Sequence, residues 1–576
     1  MRSADLSVID RTGALHAMAA EGVDVLVIGG GITGAGVALD AATRGFRVGL
    51  VDQGDFGAGT SSRSTKLVHG GIRYLPHFDL SLVREALIER ARLAANAPHL
   101  VRPLPFLVPF YRDLTRPLGI HLPGAARPLL PMAINLGLWF YDRLAGGMVL
   151  IRHRPVSLAE ALQMFPYLRR EGLRRASLYY DAQTDDARLT VAVLRTARLH
   201  GARCVNYARA VQLVRSSGRV SGVEVEDLLG GSRYRIPTRW VINAAGVWAQ
   251  EVSRMAGTPQ AVQLTLSKGV HLVLPKELVG VGNAALVLPE TEDGRLAFIV
   301  PWEGRAVLGT TDTPYSGSME QPPVTREDVE YLLRHARRFL NVELEPGDVL
   351  GAYAGLRPLV SAGGRSADIS RRHAVVRHEP GFISIIGGKL TTYRRMAEDV
   401  VDVVAREEAR AAATGSKGAD ALPCRTERLV FVGGEEPESW PHLVRDAIRM
   451  GLAPSNAARL LRTYGAELGR LLELIREDPA LGEPIAPGVP YVAAEVVFAC
   501  RSTMATNLED LMVRRLRLAL VDPRASLEAA ANVARLMGET LGWSTGRQGD
   551  EVEQYRAALA YSSQSTARST ARSHPL

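Results

Sequence analysis

A glycine-punctuated strand–helix–strand pattern at the start, period-two alternation through the middle and helical periodicity at the end predict an α/β protein. Its parts are a Rossmann-like dinucleotide-binding domain, a mixed-sheet substrate domain and a C-terminal α-helical domain. Residues 24–29, DVLVIG, are an apolar run closed by glycine, as a buried parallel strand is. The small-residue stretch 32–44 predicts a helix and 47–52, RVGLVD, a second strand, which completes a βαβ unit of about 30 residues.

The remaining elements follow in chain order. Residues 1–22 carry acidic residues and no continuous apolar core, so they read as a flexible lead-in or short helix and not as a secretory signal. Residues near 98–155 are rich in proline, aromatics and arginine with poor periodicity, the pattern of an insertion or a substrate-domain segment. Stretches 205–225 and 234–243 alternate like strands, and VINAAG, 241–246, returns the chain to the dinucleotide domain. Stretches 270–274, 284–288, 296–300 and 306–309 predict strands of a mixed or antiparallel sheet. From Gly387 a glycine turn leads into a long helix with Met396, Val400, Val403 and Val404 on one face.

The division that results is 1–22; a body at 23–410; a small-residue linker at 411–423; helices over 424–561; and a polar, low-complexity tail at 562–576 for which disorder is expected. Within the body the dinucleotide domain is discontinuous, mainly 23–100, 200–250 and 350–410, and the substrate domain takes 101–199 and 251–349.

At 576 residues the chain exceeds a single core, and 46% apolar with 23% charged residues is the balance of an ordinary globular protein. Lys and Arg outnumber Asp and Glu by 69 to 61, which suits an anionic substrate or an anionic membrane face. The arginines are spread along the chain without the Lys/Arg run and interleaved aromatics of a nucleic-acid groove, which sets that partner aside. Cys204, Cys424 and Cys500 lie far apart, so neither a disulfide framework nor a zinc site is implied, and a reducing cytoplasmic setting fits. No run reaches the roughly 20 apolar residues of a membrane span. The nearest, PLLPMAINLGLWFY at 128–141, is short and broken by proline.

The strongest local signal is GGGITG, where Gly29, Gly31 and Gly34 form GxGxxG between strand and helix and Asp52 ends the next strand. Glycine lets the backbone turn tightly and approach a pyrophosphate. The helix N-terminus presents N–H groups and the positive end of its dipole, and Asp52 accepts from ribose hydroxyls. A lone GxGxxG also fits an ordinary turn; the complete context favours a dinucleotide. NAD stays open until TSSRSTKLVHGGIRYL, 60–75, a hydroxyl-rich block that has no place after the ribose acid of an NAD domain.

These motifs continue in NAAGVW (243–248), SKGVH (267–271), GTTDTPY (309–315), AGLRPL (354–359) and GGKLTTYR (387–394). Their order and spacing resemble the family of FAD-dependent glycerol-3-phosphate dehydrogenases, within the flavoproteins related to D-amino-acid oxidase. The resemblance spans residues 24–408 and extends to EVVFACRSTMATNLEDLMVRR at 495–515. It implies oxidation of sn-glycerol 3-phosphate to dihydroxyacetone phosphate by hydride transfer from C2 to a noncovalent FAD, with re-oxidation by a membrane quinone.

The resemblance also implies site residues. Ser61, Ser62, Lys66 and Leu67 are expected to line the FAD, with Val211, Ala245 and Gly246 offering backbone to its adenosine part. Asp312 and the turn Gly387, Gly388, Lys389, Leu390, Thr391 are expected at the ribityl and isoalloxazine end. His69, Arg73 and Arg357 form the expected catalytic group. Arg73, Arg357 and Lys389, with Tyr74 and Thr391, are expected to converge on the substrate, where three cations suit a phosphate dianion. His69 is either the base for the C2 hydroxyl or a hydrogen-bond partner of the flavin. Lys268 and His271 either lie over the substrate pocket or form a polar strand end. Arg63 is assigned no role, and no DxDxDG loop offers calcium control or any other metal site.

A quinone acceptor implies peripheral contact with the inner face of the cytoplasmic membrane; a homodimer is open. The candidate surface is 98–154, where Phe106, Leu107, Phe110, Leu129, Leu130, Trp139 and Phe140 stand among Arg102, Arg112, Arg116 and Arg127. The alternative is ordinary core with a solvated basic face. Competing functions are a peroxide-forming glycerol-3-phosphate oxidase, an amino-acid or other small-acid oxidase, and a flavoprotein sensor without catalysis. The three cations disfavour the second and the intact His69, Arg73, Arg357 and Lys389 the third.

Overall fold

The computed structural model describes residues 3–72, 79–117, 130–257, 264–292, 295–361, 369–370, 373–413 and 422–567. The first sheet has eight strands. Its parallel centre runs in the order Phe382–Gly387, Arg233–Asn243, Val23–Ile28, Val48–Val51, Arg203–Val205. His373–Glu379 closes one edge antiparallel, and the hairpin Ala208–Ser216 with Arg219–Asp227 extends Arg233–Asn243. Burial on both faces explains the continuous apolar run of the first strand. Val25 and Val27 pack under the helices Ile32–Thr43, Asp186–Leu199 and Tyr393–Ala413, while Leu26 and Ile28 join the opposite cluster with Leu15 and Met18.

The second sheet is mixed and eleven-stranded. Its main path is Ile369–Ser370, Gly351–Ser361, Leu264–Pro275, Arg305–Gly309, Ala297–Trp302, Ala285–Leu288, Arg102–Tyr111, Leu173–Gln183 and Leu67–Val68. The pairing of Ala285–Leu288 with Arg102–Tyr111 is parallel. The C-terminal helices, from Trp440–Arg449 to Thr545–Ala567, bury two clusters of their own, one around Leu511, Val533 and Met537 and one around Leu460, Leu468 and Leu471.

Several expectations shift. Residues 1–22 take the short-helix form: Arg11–Glu21 is helical, and Arg11 is buried in an ion pair with Asp227 at 2.7 Å. The boundary at 350 moves, because Gly351–Ser361 pairs with Leu264–Pro275 over ten residues and so belongs to the substrate sheet. Leu67–Val68 likewise leaves the dinucleotide domain for the mixed sheet, and helix Asp186–Leu199 leaves the substrate domain to pack on the parallel one. The last helix runs through Ala567, into the stretch expected to be disordered; 568–576 lie outside the described residues. In the 98–154 surface, Phe106, Leu107 and Phe110 are core, because the strand carrying them sits inside the mixed sheet. Arg127, Leu129 and the Leu130 side chain fall outside the described residues. No helix among the described residues is long and apolar enough to cross a membrane.

Candidate active site

A cavity of about 940 Å³ lies between the carboxyl ends of the parallel strands and one face of the mixed sheet. Ligands of open α/β sheets bind at such strand ends, and the volume is near the upper end of small-molecule sites. The strand-end side is lined by Gly29, Gly31, Asp52, Ser61, Ala245 and Gly246. Gly29 has φ +109°, and a Cβ on Gly34 would overlap the Gly29 carbonyl, so Gly34 packs helix on strand without lining the cavity. Ser61 Oγ accepts from Ile32 N at 2.9 Å, and a Cβ on Gly31 would lie 3.1 Å from it. Asp52 braces the loop, accepting from Gly30 N at 2.5 Å and Gly54 N at 2.8 Å. Burial pushes its carboxyl up to about 6.

Strand register builds the opposite wall. His271 pairs with Tyr353 and Gly269 with Gly355, and the two-residue period puts Arg357 on the same face as Gly355. His271, Gly269, Gly355 and Arg357 all line the cavity. Two glycines make room for the functional side chains: a Cβ on Gly309 would overlap the His271 ring, and one on Gly269 would overlap the Arg357 guanidinium. Arg357 donates to Thr310 Oγ1 at 3.1 Å and lies 3.3 Å from Asp312 Oδ1. The His271 ring stacks on Tyr353, with centroids 4.8 Å apart, and its Nε2 is 2.9 Å from Thr65 Oγ1. Burial, with the cations Arg357 and Lys66 nearby, holds its pKa well below the ordinary value, so the imidazole is neutral.

His69 and the turn carrying Gly387, Gly388, Lys389, Leu390 and Thr391 meet in the same cavity. His69 N donates to Thr391 Oγ1 at 3.1 Å, which ties the two motifs together. The next peptide is pinned by Asp181, also in the cavity lining, which accepts from Gly70 N at 3.1 Å, Arg90 at 2.5 Å and Tyr141 OH at 2.9 Å. Leu67 also lines the cavity. Arg73 and Tyr74 lie outside the described residues.

Four residues expected at the cofactor, Ser62, Lys66, Val211 and Asp312, are not in the cavity lining. Lys66 is fully buried with Nζ 2.8 Å from Asp186 Oδ2, and the Ser62 carbonyl accepts from the same ammonium at 2.7 Å, so both residues brace the loop from behind. Val211 is replaced along the cavity by Ala208, Arg209 and Ala210. Asp312 is engaged by Ser267, Arg295 and Arg357 and does not line the cavity. Lys268 is taken by Asp328. Conversely, Arg63 lines the cavity and donates to the Glu320 carbonyl at 2.9 Å; burial pushes its guanidinium down to about 10. Glu509 and Arg514 reach the cavity from the C-terminal domain, and Arg514 is anchored by Asp55 at 2.5 Å. Arg63, Glu509 and Arg514 all sit inside stretches that carry the family resemblance, 60–75 and 495–515, and that is the signal by which the sequence offers them. Among the described residues no group of three His, Cys, Asp or Glu side chains is arranged for a metal.

The FAD dependent oxidoreductase family (DAO) matches residues 24–394, and the C-terminal domain of alpha-glycerophosphate oxidase matches residues 424–548. Glycerol-3-phosphate dehydrogenase 2 of Mycobacterium tuberculosis is 37% identical over 565 residues, 97% of this chain and 91% of that protein. The mitochondrial glycerol-3-phosphate dehydrogenase of Mus musculus is 38% identical over 93% of this chain and 73% of its own length. The crystal structure of the glycerol-3-phosphate dehydrogenase from Bacillus halodurans complexed with FAD superposes with a TM-score of 0.76 at 29% identity, covering 96% of this chain and 97% of that one. The bare glycine cradle, the carboxyl of Asp52 at the strand end and the long cavity fit FAD, the cofactor of this family. The chain belongs to the FAD-dependent oxidoreductases and, within them, to the glycerol-3-phosphate dehydrogenase family.

Proposed function

We propose that this chain oxidises sn-glycerol 3-phosphate at C2 to dihydroxyacetone phosphate and passes the electrons to a membrane quinone. The observation that carries the reading is that Arg357, Lys389, His271 and His69, from four separated motifs, line one cavity. FAD, when bound, supplies the two-electron acceptor for the C2 hydride. Arg357 grips phosphate oxygens with its planar fork and Lys389 adds a point charge, which together favour a dianion over a carboxylate. His69 takes the C2 hydroxyl proton. His271, kept neutral by burial, serves the substrate as a hydrogen-bonding group without adding a further charge. The names of the relatives from Mycobacterium tuberculosis and Mus musculus support this substrate.

A lipid-soluble acceptor requires docking on the bilayer, here proposed for the inner face of the cytoplasmic membrane. Support comes from helix Leu130–Ala145, where Met132, Leu136 and Trp139 are 65%, 64% and 48% exposed and Arg143 lies 5.2 Å over the Trp139 ring. An apolar face edged by tryptophan and arginine suits the headgroup boundary.

Dye-linked assays with glycerol 3-phosphate and with glycerol test the assignment. Arg357→Ala and Lys389→Ala are each expected to lose about 2–5 kcal/mol in kcat/KM for the phosphate substrate, roughly 30-fold or more, and little for glycerol. Wild-type kcat/KM in both variants would remove these residues from a phosphate site. An oxygen electrode should show little substrate-dependent uptake; stoichiometric peroxide would make oxygen the acceptor.

A further inference from the structure

A second cavity lies at the seam between the body and the C-terminal domain. Buried Thr184, Arg459 and Arg517 line it together with half-buried Arg102, exposed Arg462 and the carboxylates of Asp185 and Glu303. It offers about 30 Å³ to the centre of a water-sized sphere, room for one or two waters and too little for a phosphorylated metabolite.

Three polar atoms of this lining are buried without a hydrogen-bond partner among the described residues: Thr184 Oγ1, Arg459 Nε and Arg517 Nε. Arg517 Nε lies 3.5 Å from Asp185 Oδ1 without hydrogen-bond geometry. The outer nitrogens of both arginines are already engaged. Those of Arg459 meet Glu495 and the Pro490 carbonyl, and those of Arg517 meet Asp186 and the carbonyls of Ser62 and Val513. The unpaired groups can all donate, and buried donors demand an acceptor.

The lining sets five guanidinium groups, Arg102, Arg188, Arg459, Arg462 and Arg517, against two carboxylates, Asp185 and Glu303. Asp186 is shared by Lys66 and Arg517, Glu495 by Arg459 and Tyr464, and Asp185 caps helix Asp186–Leu199. At the rim, Arg102 and Arg462 make no side-chain hydrogen bond to the described residues, and burial together with Arg462 lowers the Arg102 pKa. Burial first, and then Arg188, Arg102 and Arg195, push His99 down to about 3. An anion would accept from the three unpaired groups and offset the excess of guanidinium charge in the lining.

We propose that this cavity binds a small monovalent inorganic anion of the halide class, which joins the C-terminal domain to the body. The test uses the full-length, FAD-loaded protein. Crystals grown with bromide in place of chloride should show an anomalous peak within hydrogen-bond distance of Arg459 Nε, Arg517 Nε and Thr184 Oγ1. The melting temperature should rise saturably with sodium chloride relative to sodium gluconate at equal ionic strength. Arg462→Gln, and the isosteric Thr184→Val should the first fail to fold, should flatten that rise. A cavity holding water alone, or identical wild-type melting in the two salts, overturns the proposal.

Discussion

Arg357 reaches the cavity because residue 269 has no side chain. A Cβ there would overlap the guanidinium and lie 2.7 Å from Thr310 Oγ1, yet the atoms that must yield are the far end of a flexible arginine. Gly269→Ala is therefore expected to leave FAD occupancy and folding nearly intact while raising KM for glycerol 3-phosphate about 10-fold or more, the scale of one charged hydrogen bond. An unchanged KM would show that the observed position of Arg357 does not matter to binding. Asp52 makes a second prediction. Its carboxyl is raised to about 6, and the ionised form is the better acceptor for ribose hydroxyls. FAD affinity should thus be full above that value and fall as pH drops through it, by up to about tenfold per unit, while Asp52→Asn should give a flat profile. Fluorescence titration of the FAD-free protein reads both. These residues were legible in the sequence because glycines and acids at fixed offsets have local causes. Lys66 and Asp312 were not, since their partners Asp186 and Arg295 lie outside the motifs that carry them.

The GxGxxG element was legible almost to the residue: the expected 24–29, 32–44 and 47–52 became Val23–Ile28, Ile32–Thr43 and Val48–Val51. Gly31→Val should abolish FAD retention, because its side chain would occupy the approach to the pyrophosphate; a fully yellow variant would displace the dinucleotide from this loop. Residues 351–361, expected within the dinucleotide domain, form a strand of the mixed sheet instead, since a local pattern does not name a strand's neighbour. In 98–154 the aromatics divided. Phe106 and Phe110 on strand Arg102–Tyr111 are core, whereas Trp139 and Phe140 on helix Leu130–Ala145 are exposed, as is Leu136 beside them. Exchanging Leu136 and Trp139 for serine should reduce pelleting with anionic liposomes severalfold and leave dye-linked activity unchanged. Equal pelleting would move the proposed membrane face elsewhere.

Across the whole molecule, the C-terminal helices do more than follow the catalytic body. Asp55, fully buried beside the dinucleotide loop, receives Arg514 at 2.5 Å and Arg515 at 2.7 Å from the far end of the chain. Removing one partner of such a cluster leaves buried charge uncompensated, so Asp55→Ala should cost about 3–5 kcal/mol of stability and loosen FAD as well. A melting curve like that of the wild type would show that the two parts are held by their apolar contacts. No short-range pattern predicts this clasp, because it joins positions more than four hundred residues apart. The parts so assembled place two cationic side chains and two imidazoles along one dinucleotide cavity, and this arrangement is the basis of the proposed activity. Its most direct test is anaerobic titration of the purified yellow protein with sn-glycerol 3-phosphate, followed at the flavin absorbance band. The predicted result is bleaching by the phosphate ester and none by glycerol at the same concentration; a flavin that stays oxidised with excess glycerol 3-phosphate would contradict it.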